Sequence, residues 1–86
     1  MNVRVVFSGR NYHWGSSLPE QIALSDSTTV DEAIRVLESG LPDGQRLPGS
    51  CLLAVSGVHL GTIARHPSRE LQDGDELLLI APVAGG

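Results

Sequence analysis

The clearest helix signal in this 86-residue chain lies between Thr29 and Gly40, and it constrains the elements around it. Thr29 can accept a hydrogen bond from the backbone N–H of Glu32, and Glu32 can reach back, which is the spacing of a capping box. Val30, Ala33, Ile34 and Leu37 recur at i, i+3, i+4 and i+7, so they form one apolar stripe. Asp31 and Glu32 stand in the first turn, where the helix dipole favours negative charge. Gly40 follows as the residue expected in a left-handed conformation just past the end. The sequence predicts a helix over Val30–Ser39 whose stripe must be buried against another element.

The flanking segments say that this element is a sheet. Val3, Val5 and Phe7 alternate with Arg4 and Val6, the period of a strand with one buried face. The stretch from Gly9 to Pro19 is rich in Gly, Ser and Asn and reads as a loop. It holds Tyr12 and Trp14, which either fold back over the core edge or contact a partner. Glu20 to Ser25 alternates again, so the first two strands predict a hairpin. Beyond the helix, Leu41 to Ser50 contains two Pro and two Gly and reads as a loop. Cys51 to Ser56 is an apolar run expected to be a strand buried on both faces. Val58 to Leu60 follows the Ser56-Gly57 turn as a brief strand. Asp73-Gly74-Asp75 is a turn, and Glu76 to Ile80 is the last strand, with four apolar residues in a row. That run predicts a central strand, again covered on both sides.

This order of strand, strand, helix, strand, short strand, strand predicts an α+β fold of the β-grasp, ubiquitin-like type. Its mixed sheet would hold about four to five strands with one main helix packed across it, and the first and last strands in the middle. Pro82 has no N–H to give to a ladder, so the last strand must end near Ala81. Residues 1–80 are then the folded domain, and 81–86 an extended C-terminal tail.

Composition removes several functions. The formal charge is −4, and the six basic residues are all arginines scattered singly, unlike the clustered basic face of a nucleic-acid binder. No apolar run approaches the roughly 18 residues of a membrane span. Met1-Asn2-Val3-Arg4 has no signal-peptide pattern. The single Cys51 cannot form an internal disulfide, which points to a reducing compartment and a cytoplasmic location. Cys51 itself reads as a small buried hydrophobe, not a reactive thiol. His13, His59 and His66 have no acidic or cysteine partners at ligand spacing, so no metal site is expected. Phe7, Tyr12 and Trp14 are the only aromatics, so the core must be aliphatic.

The sequence closes Ala81-Pro82-Val83-Ala84-Gly85-Gly86. Two residues without side chains can be threaded into an active site too narrow for any Cβ. The terminal carboxylate is ionised at neutral pH and can attack the α-phosphorus of a nucleotide. The chemistry expected of such an end is activation by another protein.

Leu71-Gln72-Asp73-Gly74-Asp75-Glu76-Leu77, followed by that ending, resembles the MoaD-type sulfur carriers, the small subunits of molybdopterin synthase. The first strand with Phe7, the Thr29-Val30 helix start and the Ala54-Val55 strand are similar too, so the resemblance covers most of the chain. ThiS-type carriers share the Gly-Gly end but less of the Pro-Val approach. Ala81 stands where the family often has a first proline, and Leu79 and Ile80 where it often has an aromatic.

The resemblance implies a carrier that is not an enzyme alone. A ubiquitin-activating-like adenylyltransferase of MoeB type would use ATP to adenylate the carboxylate of Gly86, and a sulfur donor would convert it to a thiocarboxylate. The large subunit of molybdopterin synthase, MoaE-type, would bind the pterin acceptor, in a heterotetramer. No cofactor would be resident, ATP being used by the activating partner. Gly86 would carry the reactive group, Gly85 permit threading, and Pro82 keep the tail extended. Ala81, Val83 and Ala84 would complete the partner-binding tail, and Phe7 and Ile80 would form an apolar docking face beside it. A carrier for thiamine or cysteine synthesis, a ubiquitin-like modifier and a plain binding module remain alternatives.

Overall fold

The computed structural model describes residues 1–9 and 18–81. Five strands form one sheet: β1 (Asn2–Ser8), β2 (Gln21–Ala23), β3 (Leu52–Val55), β4 (Val58–Thr62) and β5 (Glu76–Ile80). Their spatial order is β2-β1-β5-β3-β4. β1 and β5 run parallel, while the β1–β2, β3–β5 and β3–β4 pairs are antiparallel. The α-helix α1 (Val30–Ser39) lies over one face of this mixed sheet. This is the β-grasp arrangement, with the first and last strands at its centre.

The helix forms where its caps and stripe predict. Glu32 N–H donates to Thr29 Oγ1 at 3.3 Å, and Val30, Ala33, Ile34 and Leu37 are all buried. The second half of the capping box differs from expectation: the Thr29 hydroxyl donates to Glu32 Oε1 at 3.2 Å. The helix start is also tied to the segment before β5. Val30 N–H reaches Arg69 O at 2.9 Å, and Leu71 N–H reaches Thr28 O at 2.8 Å.

The helix end corrects the expectation for Gly40. Its backbone is right-handed, with φ −91° and ψ −3°. The last turn tightens instead: Gly40 N–H donates to Leu37 O and Leu41 N–H to Glu38 O. Leu41 then turns extended, as a residue before proline must. It is buried, and a 3₁₀ turn at Pro42–Gly44 follows.

Helix and sheet enclose one aliphatic cluster. The α1 stripe joins Val3 and Val5 of β1, Leu53 and Val55 of β3, and Leu77 and Leu79 of β5. Each such buried side chain contributes about 1.5–3 kcal/mol. Only odd-numbered residues of these strands lie in it. The expectation that β3 and β5 are covered on both faces is therefore corrected. Leu52 is 42% exposed and Ile80 39%, while Ala54 and Leu78 are half-buried. One helix covers one face, and nothing in the described chain covers the other. β2 is also shorter than the Glu20–Ser25 alternation predicts, because only Gln21–Ala23 pairs with β1.

The turns that set the register have specific chemistry. Ser56 (φ 47°) and Gly57 (φ 86°) give the β3–β4 hairpin two positive-φ residues, as a type I′ turn requires. Beyond it, Leu53 faces Gly61 while Ala54 faces His59, so Leu60 is the extra residue of a bulge. In the turn before β5, Gly74 adopts φ 86°. Asp73 Oδ1 accepts Asn2 N–H at 2.8 Å, and Gly74 N–H reaches Asn2 O at 2.8 Å. Asp75 accepts Gln72 N–H and the Ser56 hydroxyl, each at 2.8 Å. The Asp-Gly-Asp turn thus fastens the start of β5 to both β1 and the hairpin.

Candidate functional site

The site begins where β5 ends. Phe7 pairs with Leu79 and Ser8 with Ile80 in the parallel ladder, while Leu52 pairs with Ile80 on the other side. Ala81 N–H adds one more bond, to Ser8 O at 2.7 Å. Ala81 is buried, so the folded body includes it. Pro82 lacks an N–H and cannot extend that ladder. Pro82, Val83, Ala84, Gly85 and Gly86 lie outside the described residues, as do Tyr12, His13 and Trp14.

Gly9 closes the other side of this exit. A β-carbon built on it would stand 2.7 Å from the Ala81 β-carbon and 3.1 Å from Phe7 Cζ. The sequence marks Gly9 only as a strand breaker. Its contact partner lies at the far end of the chain, and only the parallel pairing of β1 with β5 brings the two together.

Phe7 and Ile80, expected on one docking face, flank the exit from opposite faces of the sheet. Phe7 has the parity of Val3 and Val5 and packs, partly buried, against the core. Ile80 has the parity of Leu78 and points to the uncovered face. On that face Val6, Leu78 and Ala54 lie in register across β1, β5 and β3, and Ile80 lies beside Leu52. This apolar patch reaches to the last residue of β5, next to Ala81. At its far end Arg4 and Glu76 stand 3.9 Å apart, both well exposed. Such a pair contributes little to stability but sets charge at the rim.

Among the described residues are two grooves, the first adjoining this site. One of about 530 Å³ runs along β1 and is lined by Arg4, Val5, Val6, Phe7, Glu20 and Gln21. The other, about 610 Å³, lies between α1 and the Pro42–Gly44 turn and is flanked by Arg35 and Arg46. Neither brings together a nucleophile and a base.

Cys51 is fully buried, and burial pushes its thiol up to about 11, so it is not a thiolate near neutrality. His66 has a role that sequence spacing did not show. Its side chain is 3% exposed and joins the segment after β4 to α1. Nδ1 lies 2.8 Å from Thr62 O and must donate there, since a carbonyl only accepts. Nε2 lies 2.8 Å from Asp31 Oδ1, at ion-pair distance but out of hydrogen-bond alignment. Among the described residues no group of three or more His, Cys, Asp or Glu could hold a metal ion, and no helix is long and apolar enough to cross a membrane.

The described part of the site is thus the end of β5 at Ala81 with an apolar surface beside it, and no catalytic constellation is assembled among the described residues. The model of the ThiS family matches residues 5–86, nearly the whole chain. No curated protein and no solved structure matches. The chain belongs to the ThiS family. That membership points to a sulfur carrier, and carriers of this family work with an E1-like adenylyltransferase and a synthase partner.

Proposed function

We propose that this ThiS-family chain carries sulfur as a thiocarboxylate on Gly86 and delivers it in molybdopterin biosynthesis. The observation that carries the reading is the Pro82-Val83-Ala84-Gly85-Gly86 ending placed directly after the central strand β5. The Leu71 to Leu77 turn supports the molybdopterin assignment through its resemblance to MoaD-type carriers.

A carboxylate resists attack by sulfur until one of its oxygens belongs to a good leaving group. A MoeB-type adenylyltransferase supplies that by letting the Gly86 carboxylate attack the α-phosphorus of ATP, with release of pyrophosphate. A hydrosulfide-level donor then attacks the acyl carbon; the C–S bond forms, the C–O bond breaks and AMP leaves. The thiocarboxylate sulfur next attacks an electrophilic carbon of a pterin precursor held by a MoaE-type large subunit, which pairs with this chain in a heterotetramer; water then cleaves the acyl C–S bond, leaving sulfur on the pterin and a carboxylate on Gly86.

This chain's own residues present and orient. Gly85 and Gly86 fit a channel that excludes side chains. Pro82 keeps the tail from folding back into the ladder. Ile80, Leu52 and Leu78 give the partner an apolar surface continuous with the exit, where desolvation of a few large side chains supplies most of the binding energy. Phe7 supports the exit from the core side.

A second reading, a carrier for thiamine or cysteine synthesis, is favoured by Ala81 standing where MoaD-type chains often have a first proline. The test is reconstitution. The protein is charged with ATP, sulfide and an adenylyltransferase, and its intact mass is followed for exchange of one oxygen for sulfur. The charged protein is then offered to molybdopterin synthase large subunit with the pterin precursor, and separately to a thiazole-forming synthase. Sulfur transfer in the first arm only is the expected result. Transfer in the second arm only moves the protein to the other pathway. A Gly86→Ala variant with full activity would sink both.

A further inference from the structure

We infer that the folded chain offers no lysine amine and no open thiol, and holds the Met1 amine on its sheet, so that an acyl group activated at Gly86 leaves to a nucleophile brought by another molecule. The inference rests on the reading of Gly86 as an activated carboxylate. Three separate features carry it.

First, all six basic residues are arginine, at positions 4, 10, 35, 46, 65 and 69, and there is no lysine. Guanidinium groups stay protonated and are not acyl acceptors near neutrality, whereas a lysine amine is. An 86-residue domain free of lysine has no side-chain amine to form an isopeptide bond.

Second, the α-amino group of Met1 is engaged. It donates to Leu24 O at 2.7 Å, and Leu24 N–H returns a bond to Met1 O at 2.8 Å. The group continues the β1–β2 ladder with one of its hydrogens on Leu24 O, and Met1 is only half-exposed.

Third, the only thiol is inside. Cys51 has no exposed surface and sits in the aliphatic cluster. Burial holds it protonated, and the thiolate is the attacking form. His59 is exposed, but an acyl imidazole hydrolyses and leaves no lasting bond.

An acyl adenylate or thioester reacts with amines and thiols without much help. Amine attack forms C–N, breaks C–O or C–S, expels AMP or thiolate, and gives a proton to solvent. A carrier with free lysines would be consumed in this way by itself or by its neighbours. Here the next reaction must come from outside, first from the sulfur donor and then from the acceptor of the sulfur.

The test is independent of any pathway enzyme. The full-length chain is prepared with an aryl thioester at Gly86 and incubated alone, folded and in denaturing urea. Products are resolved by intact mass and peptide mapping. Free cysteine added to the folded protein should ligate completely, showing that the thioester is competent. Folded protein alone should only hydrolyse. Unfolded protein should exchange onto Cys51, with aryl thiol released, at a rate higher by on the order of a hundredfold or more, since exposure of a core thiol needs a large opening. Leu52→Cys, exposed and paired with Ile80 at the end of β5, should restore exchange in the folded state. Adducts at Met1 or Cys51 forming as fast in the folded as in the unfolded protein would overturn the inference. Failure of sulfur loading on Gly86 would overturn the carrier reading and leave this result standing.

Discussion

A β-carbon on Gly9 would stand 2.7 Å from the β-carbon of Ala81, closer than two carbons can pack. Gly9→Ala therefore has to push the end of β5 away from β1. The expected cost is about 1–3 kcal/mol, the range for overpacking a well-filled site. The amide of Ala81, bonded to Ser8 O, should lose hydrogen-exchange protection more than amides of α1. A urea melt and amide exchange check both effects. Unchanged protection at Ala81 would show that the exit does not depend on this contact.

Ile80→Asp places a charge on the uncovered face without touching the buried cluster. Its stability should stay within about 0.5 kcal/mol of the parent, as for other surface changes. Its KM with the activating enzyme should rise about tenfold or more, equivalent to about 1.4 kcal/mol of lost docking, while kcat holds. Leu52→Asp should act alike. A fall in kcat with KM unchanged would place the effect in tail delivery instead.

Thr29→Ala removes the acceptor for Glu32 N–H and the donor to Glu32 Oε1. Loss of such a cap costs about 1 kcal/mol, and Thr29→Ser should recover most of it. Chemical denaturation of the three proteins, with m-values compared, tests this.

Asp75→Ala takes one partner from Gln72 N–H and another from the Ser56 hydroxyl. Ser56 is held at φ 47°, a conformation that non-glycine residues rarely adopt. The expected loss is about 1–2 kcal/mol, with Asp75→Asn intermediate. Thermal melts of the three proteins decide it.

Cys51 gives the alkaline limb of stability a definite sign. Its thiol rises from 9.0 to about 11 on folding because burial disfavours the thiolate. The native state keeps its proton where the unfolded state has lost it, so this contribution is complete below 9.0 and is lost as pH rises through about 11. Denaturation midpoints across that window should fall in the parent and fall less in Cys51→Val. Equal slopes would remove Cys51 as the cause.

The helix was legible to its last residue, because Thr29, Glu32 and the Val30 to Leu37 stripe are local signals. The strand order was legible too, since Pro82, the Asp73 to Asp75 turn and the run Leu77 to Ile80 mark β5. Coverage of the sheet was not. Leu52, Leu78 and Ile80 are as apolar as Leu53, Leu77 and Leu79, and alternation cannot separate a face under a helix from an apolar face left open. Gly40 met a general preference for a left-handed cap, but the following Leu41-Pro42 ends the helix another way. Of the site, the last residues and the Leu71 to Leu77 turn pointed to a sulfur-carrier family, and the ThiS-family match agrees with that. The contacts Gly9–Ala81 and Asp31–His66 were not, because each joins segments far apart in the chain.

The parallel pairing of β1 with β5 also fixes the order of events during synthesis. The strand at the centre of the sheet is the last one made, so β2 with β1, and β3 with β4, cannot close around a common core until Leu77 and Leu79 arrive. Pairing ends so distant in sequence is slow and comes late. A chain interrupted before β5 lacks both the closing strand and all that follows it. Residues 82–86 are thereby joined only to a chain that already holds every strand of the sheet.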